Sequence, residues 1–335
     1  MDWSKGFRAQ YYACFVDPVT WRDVDRFEIT DGTVKRSLTG LRQSADIACR
    51  NYNQTTERLI RIWLDARQSG SSAHVPLFTG LATAPQKDIN GNIIATPLTC
   101  YSVLKYAQDI LLPLGWYAPI GISGAQLVKQ LLSIDTPLKV SVIGDSPQLS
   151  QYIIAEDNEN RLTMSEKILA AINWRLRLKG DGEIEICAPA STVLARFDPL
   201  SNDCLEPQLK AVNDWYSCPN VFRAIMGDMS AVARDDSKLS PLSTVNRGRE
   251  VWAEERDCDL NKNESLAQFA RRRLKEEQRY YLSAEYNRRF HPDVLTSDLI
   301  ELNYPVQGIT GTFYVSSQSI TIGYGARTAE ECLRI

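Results

Sequence analysis

A chain of 335 residues has room for two or three domains of ordinary size. Its 44% hydrophobic and 24% charged residues are those of a globular protein and exclude a disordered or fibrous one. A net charge of −3 with pI near 5.6 excludes general electrostatic affinity for nucleic acid or anionic membrane, though not a conduit for DNA, since a passage must not grip its cargo.

Period-two patterning dominates the first hundred residues. Arg8–Val16 places Ala9, Tyr11, Ala13 and Phe15 on one face, and Pro18 stops it. Val24–Ile29 and Val34–Leu38 flank Asp31-Gly32, a dipeptide that suits the positive φ of a two-residue hairpin. Ala45–Tyr52 alternates again. In Leu59–Leu64 the residues Ile60, Ile62 and Leu64 make one fully apolar face. Val75–Ala82 follows, and Asn90-Gly91 turns the chain into Asn92–Cys100. Short strands at this spacing predict a β-barrel or sandwich.

The period then changes. Ser102 is placed to cap a short helix whose stripe is Val103, Leu104, Ala107 and Leu111, ended by Pro113 and Gly115. Ser123 and Gln126 form a capping box before a helix that buries Leu127, Val128, Leu131 and Leu132. Strand-like Lys139–Ile143 precedes a second capping box, Thr163 with Glu166, and a helix carrying Ile168, Leu169 and Ile172. Trp174–Leu178 and Glu183–Ala188 bracket another hairpin at Asp181-Gly182.

Strand signals resume at Gln208–Asn213 and Val221–Ala233. The polar interval Asp235–Arg249 reads as an exposed loop or arm, and Val251-Trp252 restarts order. Asn263 or Ser265 caps a helix over Glu264–Glu276 with Leu266, Phe269, Ala270 and Leu274 on its apolar face. Its outer face carries Arg271, Arg272, Arg273 and Lys275. The run Gln278–Asn287, then Val294–Asn303 and Gly311–Ile322, are the closing strands, the last two separated by Pro305 and Gly308. The chain therefore reads as α+β, mainly β: a β-domain over 1–107, a small α/β domain over 108–200 and a second β-domain over 201–335.

Chemistry-bearing motifs are sparse. Eight cysteines lie far apart with no Cys-x-x-Cys pair, and two histidines, His74 and His291, are all that remain to complete a zinc site. Most of the thiols are expected buried and unbridged, and no metal or cofactor is expected. Asp88-x-Asn90-x-Asn92 has alternate oxygens but lacks the glycine and distant glutamate of a calcium loop, so it reads as a hairpin tip. Gly323-x-Gly325 lacks the helix and third glycine of a phosphate cradle and reads as a strand terminus. Neither histidine stands near a nucleophile motif, and no carboxylate pair has a hydrolase context. The aromatic pairs Trp215-Tyr216 and Tyr280-Tyr281 read as sheet packing. Three adjacent arginines cannot share one helical stripe, so at least one of Arg271–Arg273 must point toward a neighbour. That run is the candidate partner interface. No stretch of about eighteen apolar residues occurs, and Met1–Arg8 has no apolar signal core, so folding in the cytoplasm is expected.

The helix Glu264–Arg271 onward, the strand Tyr280–Asn287, the segment Asp293-x-x-x-Ser-Asp298-Leu-Ile-Glu-Leu302 and the strand Gly311–Ile322 resemble the second ring domain of phage tail hub proteins. That family includes baseplate hubs of contractile phages, late-control D type proteins and the hub part of type VI secretion spikes. Val75–Leu112, with Phe78-Thr79-Gly80, a hairpin, a strand and a helix in order, resembles the first ring domain. The resemblance implies two tail-tube-like β-barrel domains separated by the small α/β domain. It implies a homotrimer whose six β-domains form a pseudo-sixfold ring in the virion, with a tail tube or distal tail protein on one face and a spike or tip protein on the other. DNA would pass through without specific binding, and there would be no catalytic residue. Because the sequence stops at Ile335, no appended lytic module is expected. A host-receptor or carbohydrate-binding β-module of a tail tip, and a hydrolase with a degenerate site, are the alternatives.

Overall fold

The computed structural model describes residues 1–50, 52, 54–83, 88–90, 93–198, 204–213, 216–258, 260, 264–279, 282–305, 309–323 and 326–334. Strands hold 48% of the residues and helices 15%, so the protein is mainly β.

The first region contains β1 (Arg8–Val16), β2 (Asp23–Ser37), β3 (Gln43–Arg50), β4 (Arg58–Gln68), β5 (Ser71–Ala82), β6 (Asp88–Asn90) and β7 (Ile93–Ser102). The period-two alternation is what builds them. Ala13, Ala45, Ile60, Ile62 and Leu64 point inward and are fully buried in one core. Six strands pair in a closed circuit, since β1–β4–β5–β7–β3–β2 returns from β2 to β1. The hairpin expected at Asn90-Gly91 is present in its pairing, with Asn90 opposite Ile93, although the turn residues lie outside the described set.

Asp31-Gly32 is not a turn. β2 runs straight through it, and the local signal is absorbed by a β-bulge between Ile29 and Asp31. Gly32 has φ 155°, and a Cβ there would stand 2.5 Å from the Asp46 carbonyl oxygen, so the close approach of β3 is what needs the glycine. The real turn lies at 38–42, closed by Ser37 N–H donating to the Arg42 carbonyl.

The middle of the chain supplies α1 (Lys105–Gln108), β8 (Tyr117–Ala118), α2 (Gly124–Ser133), β9 (Val140–Ile143), β10 (Ile153–Ile154), α3 (Arg161–Ala171), β11 (Arg175–Leu178) and β12 (Ile184–Cys187). Ser123 caps α2 as expected, its side chain accepting from Gln126 N–H. The cap of α3 is Asn160 rather than Thr163, because Asn160 Oδ1 already takes the Thr163 N–H at 2.9 Å and the helix starts a turn early. Leu111 leaves the apolar stripe and is exposed, since α1 ends at Gln108. Val16, Trp21, Leu59 and Leu81 of the first region share one core with α2, α3 and β11–β12.

The remainder holds β13 (Val193–Phe197), β14 (Cys204–Asn213), β15 (Val221–Met226), β16 (Met229–Arg234), α4 (Thr244–Arg247), β17 (Trp252–Arg256), α5 (Leu266–Arg279), β18 (Leu282–Arg288), β19 (Leu299–Tyr304), β20 (Ile309–Ile322) and β21 (Thr328–Arg334). Val221–Ala233 is two strands, not one, because Gly227 takes φ 58° and turns the chain between them. The interval 235–249 is mostly coil but folds down α4 and buries Leu242. Helix α5 extends to Arg279, beyond the expected strand start at Gln278, and the segment 294–298 is loop rather than strand. Strands that escaped the sequence reading include β13, which pairs parallel with β19, and β21.

These strands order as β13–β19–β20–β21–β18–β14. The two β regions are one sheet, joined where Gly32–Ser37 of β2 runs antiparallel to Ser317–Ile322 of β20. Each joining strand changes partner along its length. β2 leaves β1 for β20, and β20 leaves β19 for β2, each with a bulge near the switch. A separate sheet, β16–β15–β17, packs on α5 through Phe222, Ala224, Phe269, Ala270 and Leu274.

Ser265 caps α5 reciprocally: its N–H donates to Gln268 Oε1 at 2.8 Å, and Gln268 N–H donates to Ser265 Oγ at 3.3 Å. Ser265→Ala is expected to lower stability by about 1 kcal/mol in urea denaturation, the usual cost of a lost N-cap. Asn263, the other proposed cap, lies outside the described residues.

Candidate assembly surfaces

The arginine run sits on α5, and its members differ in what they meet. Arg272 is held by Glu264 at 2.9 Å and Glu276 at 3.1 Å, and these carboxylates keep its pKa above the ordinary value. Arg273 reaches sideways to Glu255 of β17 at 2.8 Å and also meets Glu276 and Glu277. One arginine thus turns to another element, as helical geometry requires. Arg271 and Lys275 are exposed, with no ion pair to another described residue. Among the described side chains of the helix, positive charge without an ion pair is therefore carried by those two.

Where the two β regions meet, the side chains are charged and buried. Arg288 of β18 and Glu330 of β21 are at most 1% exposed, and Arg288 donates through Nη2 to Glu330 Oε1 at 2.7 Å and through Nε to Oε2 at 2.9 Å. Tyr286 donates its hydroxyl to the same carboxylate, and Gln318 of β20 donates to it at 2.7 Å. From β2, Arg36 donates to Gln318 Oε1 at 3.2 Å and to the Leu77 carbonyl at 3.0 Å. Burial, with Arg288 and Arg177 nearby, pushes Arg36 down to about 10. The chain of contacts β5–β2–β20–β21–β18 fixes the joint between the two regions.

The β11–β12 hairpin is anchored to the same joint. Its tip lies against β5 and β4: Thr79 Oγ1 donates to the Gly180 carbonyl at 2.8 Å, and Arg61 Nη2 of β4 donates to that of Asp181 at 3.3 Å. Arg177 on the hairpin meets Asp298 at 2.8 Å, and Leu295 N–H donates to Asp298 Oδ2 at 2.9 Å. Asp298, quoted in the sequence as part of a family-like segment, thus fastens the loop before β19 to the middle region.

His74 stacks on Trp63 with centroids 3.9 Å apart and meets Asp65 at 2.5 Å; His291 lies in the turn before Val294. Among the described residues no three His, Cys, Asp or Glu side chains converge as a metal site. Seven cysteines are described outside disulfides, and six of them are buried. Tyr216, expected in sheet packing, is instead 81% exposed, covered on one side by Arg249; Trp215, Tyr280 and Tyr281 lie outside the described residues. The aromatic pair Tyr117–Tyr152, T-shaped at 5.7 Å, and Ile154 form an exposed patch that the sequence reading missed. Two-residue strands carry too short a pattern to show it. No described helix is long and apolar enough to cross a membrane.

No protein-family model and no curated protein matches the sequence. Solved structures do. A tail protein from Neisseria meningitidis MC58 superposes with TM-score 0.72 at 12% identity, covering 97% of both chains. The 43 kDa tail protein of prophage MuSo2 from Shewanella oneidensis gives TM-score 0.71 at 12% identity, covering 98% of this chain and 97% of that one. A component of the Escherichia coli type VI secretion system, itself structurally similar to T4 tail proteins gp27 and gp5, gives 0.54 at 8% identity over 92% and 74%. At these identities the likeness establishes the fold.

Proposed function

We propose that this chain, which has the fold of phage tail proteins, is a structural virion component: a trimeric tail or baseplate hub that joins the tail tube to the tip or spike. The observation that carries this is the single sheet running through both β regions, in a fold matched end to end by two tail proteins. A strand of one region completes the sheet of the other within the chain, and the same kind of edge pairing between chains would close a ring and leave no open edge. Regions 1–107 and 201–335 would act as the two ring-forming barrel domains, with 108–200 peripheral apart from β13, which pairs with β19. DNA would pass through the centre without specific binding, and no step of the role needs catalysis. Electron microscopy of the purified chain is expected to show ring-shaped trimers; a stable monomer in the assembled particle refutes the proposal.

The Arg271–Arg273 and Lys275 surface is proposed as a contact with a neighbouring tail protein or subunit, carried by Arg271 and Lys275. Arg271→Glu with Lys275→Glu is expected to leave monomer stability within about 0.5 kcal/mol, as for exposed sites. Assembly, followed by size-exclusion chromatography with light scattering, should drop severalfold. Unchanged assembly would remove the helix from the interface.

The exposed Tyr117–Tyr152 pair favours one second reading, a carbohydrate-binding tip module, because sugars stack on such rings. A glycan-array signal from a chain that forms no rings would select it.

A further inference from the structure

We infer that the open edge of β16 takes an extended segment of another protein as a fourth strand, one that carries carboxylates and apolar side chains on its outer face. This edge is distinct from the α5 surface proposed above, and its role does not require a ring.

The module that holds β16 has its own core, built from Phe222, Ala224, Ala233, Phe269, Ala270 and Leu274. It is inserted between β14 and β18, which pair antiparallel with Asn213 opposite Leu282. Both its ends therefore leave from one end of that strand pair. In the three-stranded sheet β15 is central, and β16 and β17 are the edges. Helix α5 covers one face. Period two sends Phe222, Ala224 and Ala233 toward it and Arg223, Val232 and Arg234 to the outside.

The two edges differ. Edge strands are commonly blunted by charged side chains, proline or a bulge. β17 follows that rule, since Glu254, Glu255 and Arg256 make most of it charged. β16 does not. Its sequence Met229-Ser-Ala-Val-Ala-Arg234 holds no proline, and its one charge is the last residue. Its register against β15 is unbroken from Val221 opposite Arg234 to Met226 opposite Met229. Among the described residues its main chain pairs with β15 alone, which leaves a row of N–H and C=O groups facing outward. Met229 and Val232 are 59% and 50% exposed beside that row.

The outer face names the occupant. Arg234, Val221 and Trp252 stand in one row across the sheet, and Val232, Arg223 and Glu254 in the next. Arg223 and Arg256 share Glu254, and Arg234 meets Glu250, so three guanidiniums stand against two carboxylates. Exposed tryptophan and arginine without lysine on these strands is the composition of a protein contact. A strand added along β16 completes the rows if it sets a carboxylate beside Arg234 and an apolar side chain beside Val232. A second copy of β16, paired about a two-fold at Val232, would set Arg234 beside Ser230 and leave the excess charge unmet.

The test is fluorescence anisotropy of the full chain with a labelled decapeptide. It has threonine at every second position, with glutamate and valine in turn at the others. Binding to the parent chain is expected. Exchanging the glutamates for lysine should weaken it about tenfold. Methylating the main-chain nitrogens of the peptide keeps its side chains but removes its N–H donors, and should abolish binding. On the protein, Val232→Lys with Arg234→Glu should cut affinity for the glutamate peptide about tenfold and turn the preference toward the lysine peptide. Circular dichroism should show the fold of that variant unchanged. Equal binding of the methylated peptide or of both charge forms overturns the inference, as does no binding of any peptide. Self-association of the parent that Val232→Lys abolishes gives the edge to a second copy and overturns it too. A ring-forming chain that binds no peptide loses this inference alone. Peptide binding by a chain that forms no rings keeps it while the hub reading falls.

Discussion

Glu330→Gln is expected to destabilise the protein by about 3–5 kcal/mol, because it leaves Arg288 charged, buried and unpaired. Arg288 and Glu330 tie β18 to β21, and Gln318 relays the contact to Arg36 on β2. The loss therefore falls on the joint between the two β regions. The pH dependence gives an independent check. Burial alone would raise the Glu330 carboxyl, but the Arg288 charge and the hydrogen bonds from Arg288, Tyr286 and Gln318 outweigh it and hold the group below its ordinary 4.5. A carboxyl depressed in the folded state contributes stability that is present above its unfolded pKa. That contribution disappears as pH falls through the folded value. Urea midpoints of the parent should thus decline as pH drops below about 4.5, and this component of the decline should be missing in Glu330→Gln. Equal slopes in the two chains would show that the pair contributes nothing to acid sensitivity. Arg36→Met should cost less than Arg288→Met, since Arg36 has no carboxylate partner among the described residues and is already pushed down by burial.

Gly180→Ala should be the second large effect, at about 1–3 kcal/mol or more. A Cβ at Gly180 would lie 2.0 Å from the Pro76 carbonyl oxygen, which belongs to a strand and cannot swing aside as a side-chain tip would. The β11–β12 tip must then lift from β5 and lose the Thr79 hydrogen bond to the Gly180 carbonyl. The neighbouring Gly182 is a contrasting case. It has φ 86°, and its Cβ would meet the Trp21 ring at 2.7 Å, so alanine there adds backbone strain to crowding. Thermal unfolding is the measurement. A melting temperature for Gly180→Ala within a degree of the parent would show that the hairpin is not seated on β5.

Much of the fold could be read locally. Period-two runs placed β1, β3, β4 and β5, a capping box placed α2, and a cap residue ahead of helical apolar spacing placed α5, because such patterns report burial and hydrogen bonding within a few residues. Asp31-Gly32 failed for an instructive reason. A glycine needed by a bulge under a neighbouring strand looks the same in one dimension as a glycine needed by a turn. Gly227 failed in the opposite sense, since Gly227-Asp228 is a familiar two-residue hairpin turn that the reading of Val221–Ala233 as one strand passed over. β21 was missed because Ala329, Glu331 and Glu330 lack an apolar rhythm; Glu330 is buried only because Arg288 awaits it. The arginine run was legible as a cluster, but its division into paired Arg272 and Arg273 and an Arg271 without an ion pair to a described residue depends in part on Glu255, which β17 brings in from another segment.

From sequence alone came the mainly β character, the order of β-rich, mixed and β-rich segments, and the resemblance to tail hubs. The first two rest on local periodicity and composition, and the resemblance on the likeness of the segments quoted for it. Tertiary structure decided that the two β-rich segments share one sheet, through strands almost three hundred residues apart in sequence. It also decided that a buried ionic network stands beside the apolar Val34–Ile320 contact at that joint. Strand pairing over such separations is set by which edges are left open after every nearer partner is taken, and no short window of residues records that.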